Sequence, residues 1–474
     1  MLRFIRPLAL LCLLVFSTLT VTATEIKPVK YVFLFIGDGM SLAQQQLAEE
    51  FLQRTENRGL KMNTMPYKAI TTTQAAGGAF ITDSAAAGTA IACGIKTNNG
   101  VIGLDAEGNR VESIAAVAKQ NGRKVGIISS VTINHATPAA FYAHNASRSG
   151  EYEIGLDLVA SGFDYFGGGG IARHNDQNAE SYRGDVYDLA KEAGYTVFRT
   201  PEEILTLRPG VGKVLASSNS GAMPYAIDGN IEGLRLADFT KQAIELLDNP
   251  NGFFIMIEGG QIDWACHGND GAAVVWDMIE FDDAISVAFD FAKNNPDEVL
   301  IAVTGDHETG MLSLAHSGTG NRIYPELLAH QKASRGTLSR ATEQLVRDDS
   351  DAMTFENYKA FITENTGLIF TEAGQWQRGN LNLTQNEIRE LENDFNRTKT
   401  AILENASSRD RVVVTMLRML NNKAGLTWGS SDHTGMPVIT ATWGNQAKQI
   451  AQNIGDNTDI AILLKQAVRP ITTE

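Results

Sequence analysis

Short apolar runs rich in Val, Ile and Phe recur along the chain at residues 29–36, 124–131, 253–257, 299–303 and 438–442. Their hydrophobicity is continuous rather than alternating, which predicts strands buried on both faces, as in a parallel sheet covered by helices. Between them, residues 111–119, 238–247 and 274–289 carry apolar positions at helical spacing. That alternation predicts an α/β fold, a three-layer sandwich whose central, mostly parallel sheet is flanked by helices. Residues 311–431 read differently. They are more polar, with Phe355, Tyr358 and Ile362 on one helical face, and a Thr384-Gln385-Asn386-Glu387 capping box before Ile388, Leu391 and Phe395. The expectation is a largely helical insertion within one domain spanning 24–474, because candidate chemistry falls on both sides of it.

The amino terminus changes this picture only at its edge. Arg3 and Arg6 precede an apolar run at 7–16, and Val21-Thr22-Ala23 offers a small-residue cleavage site. This is the pattern of a secretory signal peptide over 1–23, and the run is shorter than the roughly 18 apolar residues of a spanning helix. A periplasmic or secreted protein without a membrane span after cleavage is expected. Hydrophobic residues at 43% of 474 supply a large core. Forty Lys and Arg against 55 Asp and Glu give a net charge of −15, which argues against nucleic acid or anionic lipid as partners. Three cysteines are too few for a disulfide framework. Cys12 leaves with the leader, and whether Cys93 and Cys266 pair is open.

Candidate chemistry gathers where the predicted strands end. The first run leads into Gly37-Asp38-Gly39; the third into Glu258, Asp263 and His267; the fourth into Asp306-His307. In open α/β sheets, sites form outside the carboxyl ends of strands. Acids and histidines there are the donor set of a hard or borderline divalent metal. Asp263 and His267 are four apart, so one helical turn aims both at a single ion. Taken singly, an Asp-His pair or a Gly-Asp-Gly turn is ordinary loop chemistry; recurrence at three strand ends points to a site. Ser84 lies in Ile81-Thr82-Asp83-Ser84-Ala85-Ala86-Ala87-Gly88-Thr89, where Asp83 or Ser84 would cap an Ala-rich helix. The positive end of that helix favours an alkoxide or a bound anion. Gly167 to Gly170 lacks the Lys-Ser/Thr of a phosphate loop and reads as a strand passing into a turn.

These segments, together with Asp432-His433-Thr434-Gly435, occur in the order of, and closely resemble, those of the alkaline phosphatase family. The resemblance covers about residues 30–320 and resumes near 428. It implies an α/β sandwich with a crown-like insertion, a phosphorylated Ser84, two zinc ions and one magnesium. Asp263, His267 and His433 would hold the first zinc. Asp38, Asp306 and His307 would hold the second, beside the Ser84 oxygen. Asp38, Thr137 and Glu258 would hold the third ion, and Arg148 would grip two phosphate oxygens. His135 and Trp264 would line the site where the best-known bacterial members carry an acid and a lysine. Imidazole suits softer metals than magnesium, so the identity of the third ion stays open. Cys266, beside His267, would point away from the ligand face. The resemblance also implies a homodimer and phosphate monoesters as substrates. The function expected is therefore exported, metal-dependent phosphomonoester hydrolysis through a phosphoserine. The alternatives are a phosphodiesterase, sulfatase or mutase on the same metal scaffold, and a metal- or phosphate-binding protein without turnover.

Overall fold

The computed structural model describes residues 25–217, 221–229, 234–371 and 379–471; the leader expected at 1–23, with Cys12, lies outside the described residues. In chain order the strands are β1 (Tyr31–Gly37), β2 (Tyr67–Thr71), β3 (Lys124–Ser129), β4 (Tyr165–Gly168), β5 (Tyr195–Phe198), β6 (Lys213–Ser217), β7 (Phe253–Gly259) and β8 (Val299–Gly305). Four short strands follow, β9 (Glu308–Thr309), β10 (Leu312–Leu314), β11 (Leu426–Trp428) and β12 (His433–Thr434), and then β13 (Val438–Gly444). Nine of these form one sheet in the order β2-β13-β8-β1-β7-β3-β4-β6-β5. Pairing is parallel throughout except at β13, which runs antiparallel to both β8 and β2.

The continuous apolar runs bury both faces, as the pattern predicts. In β1, Tyr31, Phe33 and Phe35 enter one apolar cluster while Val32, Leu34 and Ile36 enter the other. β7 divides in the same way, with Phe253, Ile255 and Ile257 on the first face and Phe254 and Met256 on the second. Helices Leu42–Thr55, Leu236–Leu247 and Gly271–Asn294 cover the first face. Ser84–Cys93, Ile114–Gln120, Glu151–Ser161 and Asn457–Ala467 cover the second. Among the described residues no helix is long and apolar enough to cross a membrane.

Local signals account for where elements begin and stop. The run at 124–131 ends as a strand at Ser129: Ser130 N–H still keeps the ladder, donating to the Glu258 carbonyl, but Val131 N–H turns back to Ser129 Oγ (both 3.1 Å). In the stretch 311–431, helices Arg335–Asp348, Phe355–Thr366, Gln385–Leu403 and Arg411–Ala424 dominate. Thr384 and Glu387 make the reciprocal cap, with Glu387 N–H donating to Thr384 Oγ1 at 3.3 Å and Thr384 N–H to Glu387 Oε2 at 2.7 Å. The apolar face of this stretch, Phe355, Tyr358, Ile362, Leu391 and Phe395, is buried in the same cluster as Phe33 and Phe35.

Candidate active site

Register brings the acids together. β1 lies between β8 and β7, and Gly37 is level with Gly305 on one side and Gly259 on the other. Asp38 and Asp306 therefore leave adjacent strands at one height, and Glu258 sits one rung below on β7. All three are fully buried. Gly39, at φ +70°, lets the chain turn where a Cβ would stand 2.8 Å from Asp263 Cα. β7 leads into the short helix Gln261–His267, which carries Asp263 and His267; His267 Nε2 lies 3.3 Å from Asp263 Oδ2. His433 arrives from beyond the insertion because β12 pairs with β9, His433 opposite Thr309. Its Nε2 is 3.2 Å from His267 Nε2 and 3.6 Å from Asp263 Oδ1.

Ser84 is the first residue of its helix, and Asp83 is the cap, accepting Ala86 N–H at 2.9 Å. Ser84 Oγ stands 3.3 Å from His307 Nε2, which also faces Asp306 Oδ2 at 3.3 Å and Asp38 Oδ1 at 3.4 Å. Arg148 Nη1 donates to Asp83 Oδ2 at 3.0 Å, and Nη2 donates to His135 Nε2 at 3.1 Å. Arginine can only donate, so in the neutral ring the His135 proton is on Nδ1. That atom lies 3.8 Å from Glu258 Oε1 and 4.0 Å from Asp38 Oδ2. With Arg148 in this position His135 offers that corner an N–H rather than a lone pair, and lines it. Thr137 is the second residue of the short helix Ala136–Ala139, packed against the serine helix, with its hydroxyl buried. Trp264 meets His135 edge-on at 6.1 Å, and with His267, Tyr225 and Arg335 it walls a cavity of about 380 Å³.

The donor chemistry fits divalent cations. Both oxygens of Asp38, Asp306 Oδ2, Glu258 Oε1 and Thr137 Oγ1 are buried without a hydrogen-bond partner. Native proteins rarely leave such atoms stranded. His267 Nδ1 and His433 Nδ1 face the carbonyls of Ser431 (2.5 Å) and Thr82 (3.0 Å), so those nitrogens carry the protons and the two Nε2 lone pairs meet head-on. Only a cation or a proton can sit between them. Three groups of acids and histidines come within ligand reach of one another: Asp263, His267 and His433; Asp38, Asp263 and His307; and Asp38, His135 and Glu258, where His135 has a lone pair to give only once Arg148 releases its Nε2.

Electrostatics report the same strain. Burial, and then the neighbouring carboxylates, push Asp38 and Asp306 well above the usual carboxylate range. Burial drives His307 well below its usual value. The hydrogen bond to Asp263 pushes His267 up to about 9, and although burial opposes it, the same contact holds Asp263 below its ordinary range.

Some supporting residues lie outside the sequence reading. Thr309 Oγ1 donates to Asp263 Oδ1 at 2.6 Å and lies 3.2 Å from His307 Nδ1. Buried Glu308 accepts from Gln44 Nε2 at 3.1 Å and from the Thr434 hydroxyl. Asn99 braces the serine turn, accepting Asp83 N–H and donating to the Ile81 carbonyl, both at 3.0 Å. The closeness of Thr309 and Glu308 to His307 in sequence was the one available signal. Cys93 and Cys266 are free and buried apart; Cys266 Sγ accepts from Gln44 Nε2 at 3.8 Å and belongs to none of the ligand groups.

Residues 29–469 match the sequence profile described as "Alkaline phosphatase". Alkaline phosphatase 4 of Bacillus subtilis is 31% identical over 391 residues, 81% of this chain and 76% of the relative. The crystal structure of Thermus thermophilus alkaline phosphatase superposes with a TM-score of 0.78 at 25% identity, covering 97% of this chain and 95% of that one. TAB5 alkaline phosphatase, in a histidine-to-aspartate mutant with Mg bound in its M3 site, is 25% identical with a TM-score of 0.64, covering 94% of this chain and all of that one.

Proposed function

We propose a mechanism for a chain that belongs to the alkaline phosphatase family and hydrolyses phosphate monoesters with bound metal ions. The observation that carries it is the Ser84 hydroxyl, at a buried helix N-terminus, 3.3 Å from an imidazole nitrogen that also faces two stranded carboxylates. Asp263, His267 and His433 would hold a first zinc, and Asp38, Asp306 and His307 a second. Asp38, Glu258 and Thr137 would hold a third divalent ion, the magnesium that the family resemblance implies. Divalent ions there would stabilise the serine alkoxide and the departing oxygen as a Lewis acid does.

This chain's own groups do the rest. Ser84 Oγ gives up its proton and attacks phosphorus in line as the ester oxygen departs and takes up a proton to leave as the alcohol, with phosphate on Ser84. Water then attacks the phosphoserine, its oxygen leaving with the phosphate and one of its protons restoring the Ser84 hydroxyl. Arg148, steered by Asp83 and His135, holds two oxygens of the phosphoryl group in the planar, forked geometry that a lysine lacks. A monoester dianion gains more from that fork than a diester monoanion, which supports the monoester preference. The cavity beside Trp264 and His267 offers room for the alcohol. Export by way of residues 1–23 and assembly as a homodimer belong to the same reading; amino-terminal sequencing of the exported protein and sizing in solution check them.

The test has two arms. Metal-loaded protein should release p-nitrophenol from its phosphate ester at a pH of about 8–10, and a chelator should abolish the release. Acid quenching should trap covalent phosphate on the wild type but none on Ser84→Ala, whose metal content should be unchanged. Labelling that survives in Ser84→Ala refutes the nucleophile.

A further inference from the structure

We propose that Thr309 is a positioning residue that couples the first and second metal positions, a role that rests on the metal reading above. Its hydroxyl stands between ligands of different positions, 2.6 Å from Asp263 Oδ1 and 3.2 Å from His307 Nδ1. A hydroxyl has one proton to give. A carboxylate can only accept, so that proton goes to Asp263, and the same oxygen must then accept from His307 Nδ1–H. The single proton of the neutral His307 ring is thereby placed on Nδ1. Nε2 keeps its lone pair, aimed at the space bounded by Ser84 Oγ, Asp38 Oδ1 and Asp306 Oδ2.

Thr309 cannot turn away from this task. It is fully buried, its backbone pairs with His433, and its carbonyl accepts Gln44 Nε2 at 3.0 Å. One residue therefore touches ligands of both positions with its side chain and, through its backbone, pairs with the strand that delivers the last histidine. The two hydrogen bonds run in series. A cation drawing on His307 Nε2 makes Nδ1–H a stronger donor, which polarises the Thr309 hydroxyl toward Asp263. Asp263 is then held with Oδ1 toward Thr309 and Oδ2 toward His267, the orientation the first position needs. Filling either position prepares the other, and such coupling is reciprocal.

Thr309→Val keeps the shape and removes the hydroxyl; Thr309→Ser keeps the hydroxyl. Zinc titration of metal-free protein against a competing chelator should show two ions taken up together by the wild type and by Thr309→Ser. Thr309→Val should bind them in two separated steps, the weaker by about 10–100-fold. Imidazole nitrogen signals of wild-type metal-free protein should report His307 protonated at Nδ1, a readout that stands even if the valine variant does not fold. Uptake by Thr309→Val with wild-type affinity and steepness, or a proton on His307 Nε2, overturns the coupling role and leaves the metal reading intact. A wild type that fails to take up two zinc ions overturns both.

Discussion

Replacing Asp38 by asparagine should stabilise the metal-free protein and destabilise the metal-loaded one. Without metal, Asp38 is fully buried, neither oxygen has a hydrogen-bond partner, and the fields of Asp306, Asp263 and Glu258 add to its burial. A buried polar group left unsatisfied costs about 1–3 kcal/mol. Asparagine removes the charge and offers an N–H₂ to a neighbourhood of acceptors. The sign with pH follows from the upward shift. The folded state keeps the Asp38 proton after the unfolded chain has released it near pH 4, so the metal-free native state loses stability as pH rises beyond that point. Asparagine does not titrate, so its advantage should be slight at pH 5 and largest near pH 9. A chain of this length has an unfolding entropy of roughly 1 kcal/mol/K, so the gain should read as a rise of about 1–3 °C in Tm. With metal the sign reverses. Asp38 is common to two of the three ligand groups. An ion present at about a hundredfold excess over its Kd contributes about 2.7 kcal/mol, so losing two costs on the order of 5 kcal/mol and about 5 °C. Thermal melts of both proteins, with chelator and with zinc plus magnesium, measure all four values. A fall in the Tm of metal-free Asp38→Asn, or shifts of one sign in both states, refutes the reasoning that this carboxylate is a stranded charge awaiting a cation.

Arg148→Ala should raise the inhibition constant for inorganic phosphate by roughly 10–100-fold, the value of one or two charge-assisted hydrogen bonds, and should narrow the preference for monoesters over diesters. Equal losses on both substrate classes, in parallel kinetic assays, would remove the phosphate-gripping role. In the metal-free protein His267 keeps its proton to about pH 9 through Asp263. Its contribution to stability is complete below its unfolded value near 6.5 and is lost as pH rises through 9. Urea midpoints of chelated wild type should fall across that window, and His267→Gln should flatten the fall. Zinc must displace the same proton, so calorimetry in buffers of different ionisation enthalpy should detect its release at pH 7 but not at pH 10; equal release at both would show that His267 is not the group displaced.

The strands that carry chemistry were legible because being buried on both faces forces an unbroken apolar run, and β1, β7 and β8 all show one. The edge strand β2 and the short β5 announce nothing comparable: Tyr67, Lys68 and Ile70 are exposed, and β5 has only one buried side chain. Asp38, Glu258 and Asp306 were readable for a related reason. Each follows a buried run directly, so its height in the sheet is set by a strand already identified. The serine helix was readable from its alanines, but which residue caps it was not, since Asp83 and Ser84 both suit that position; the structure gives the cap to Asp83 and turns the Ser84 oxygen to His307. His433 is a different case. Nothing in its neighbourhood says that it meets Asp263; only the pairing of β12 with β9 across the insertion brings it there. Thr309 offered only its closeness to His307, because a threonine two residues past a histidine acquires meaning only once both of its hydrogen bonds exist. What local pattern cannot supply is thus the side-chain geometry between elements. That geometry decides whether an acid is a solvated loop residue or a ligand. Asp432, next to His433 in sequence, is the control: it shares the motif but lies exposed and belongs to none of the ligand groups.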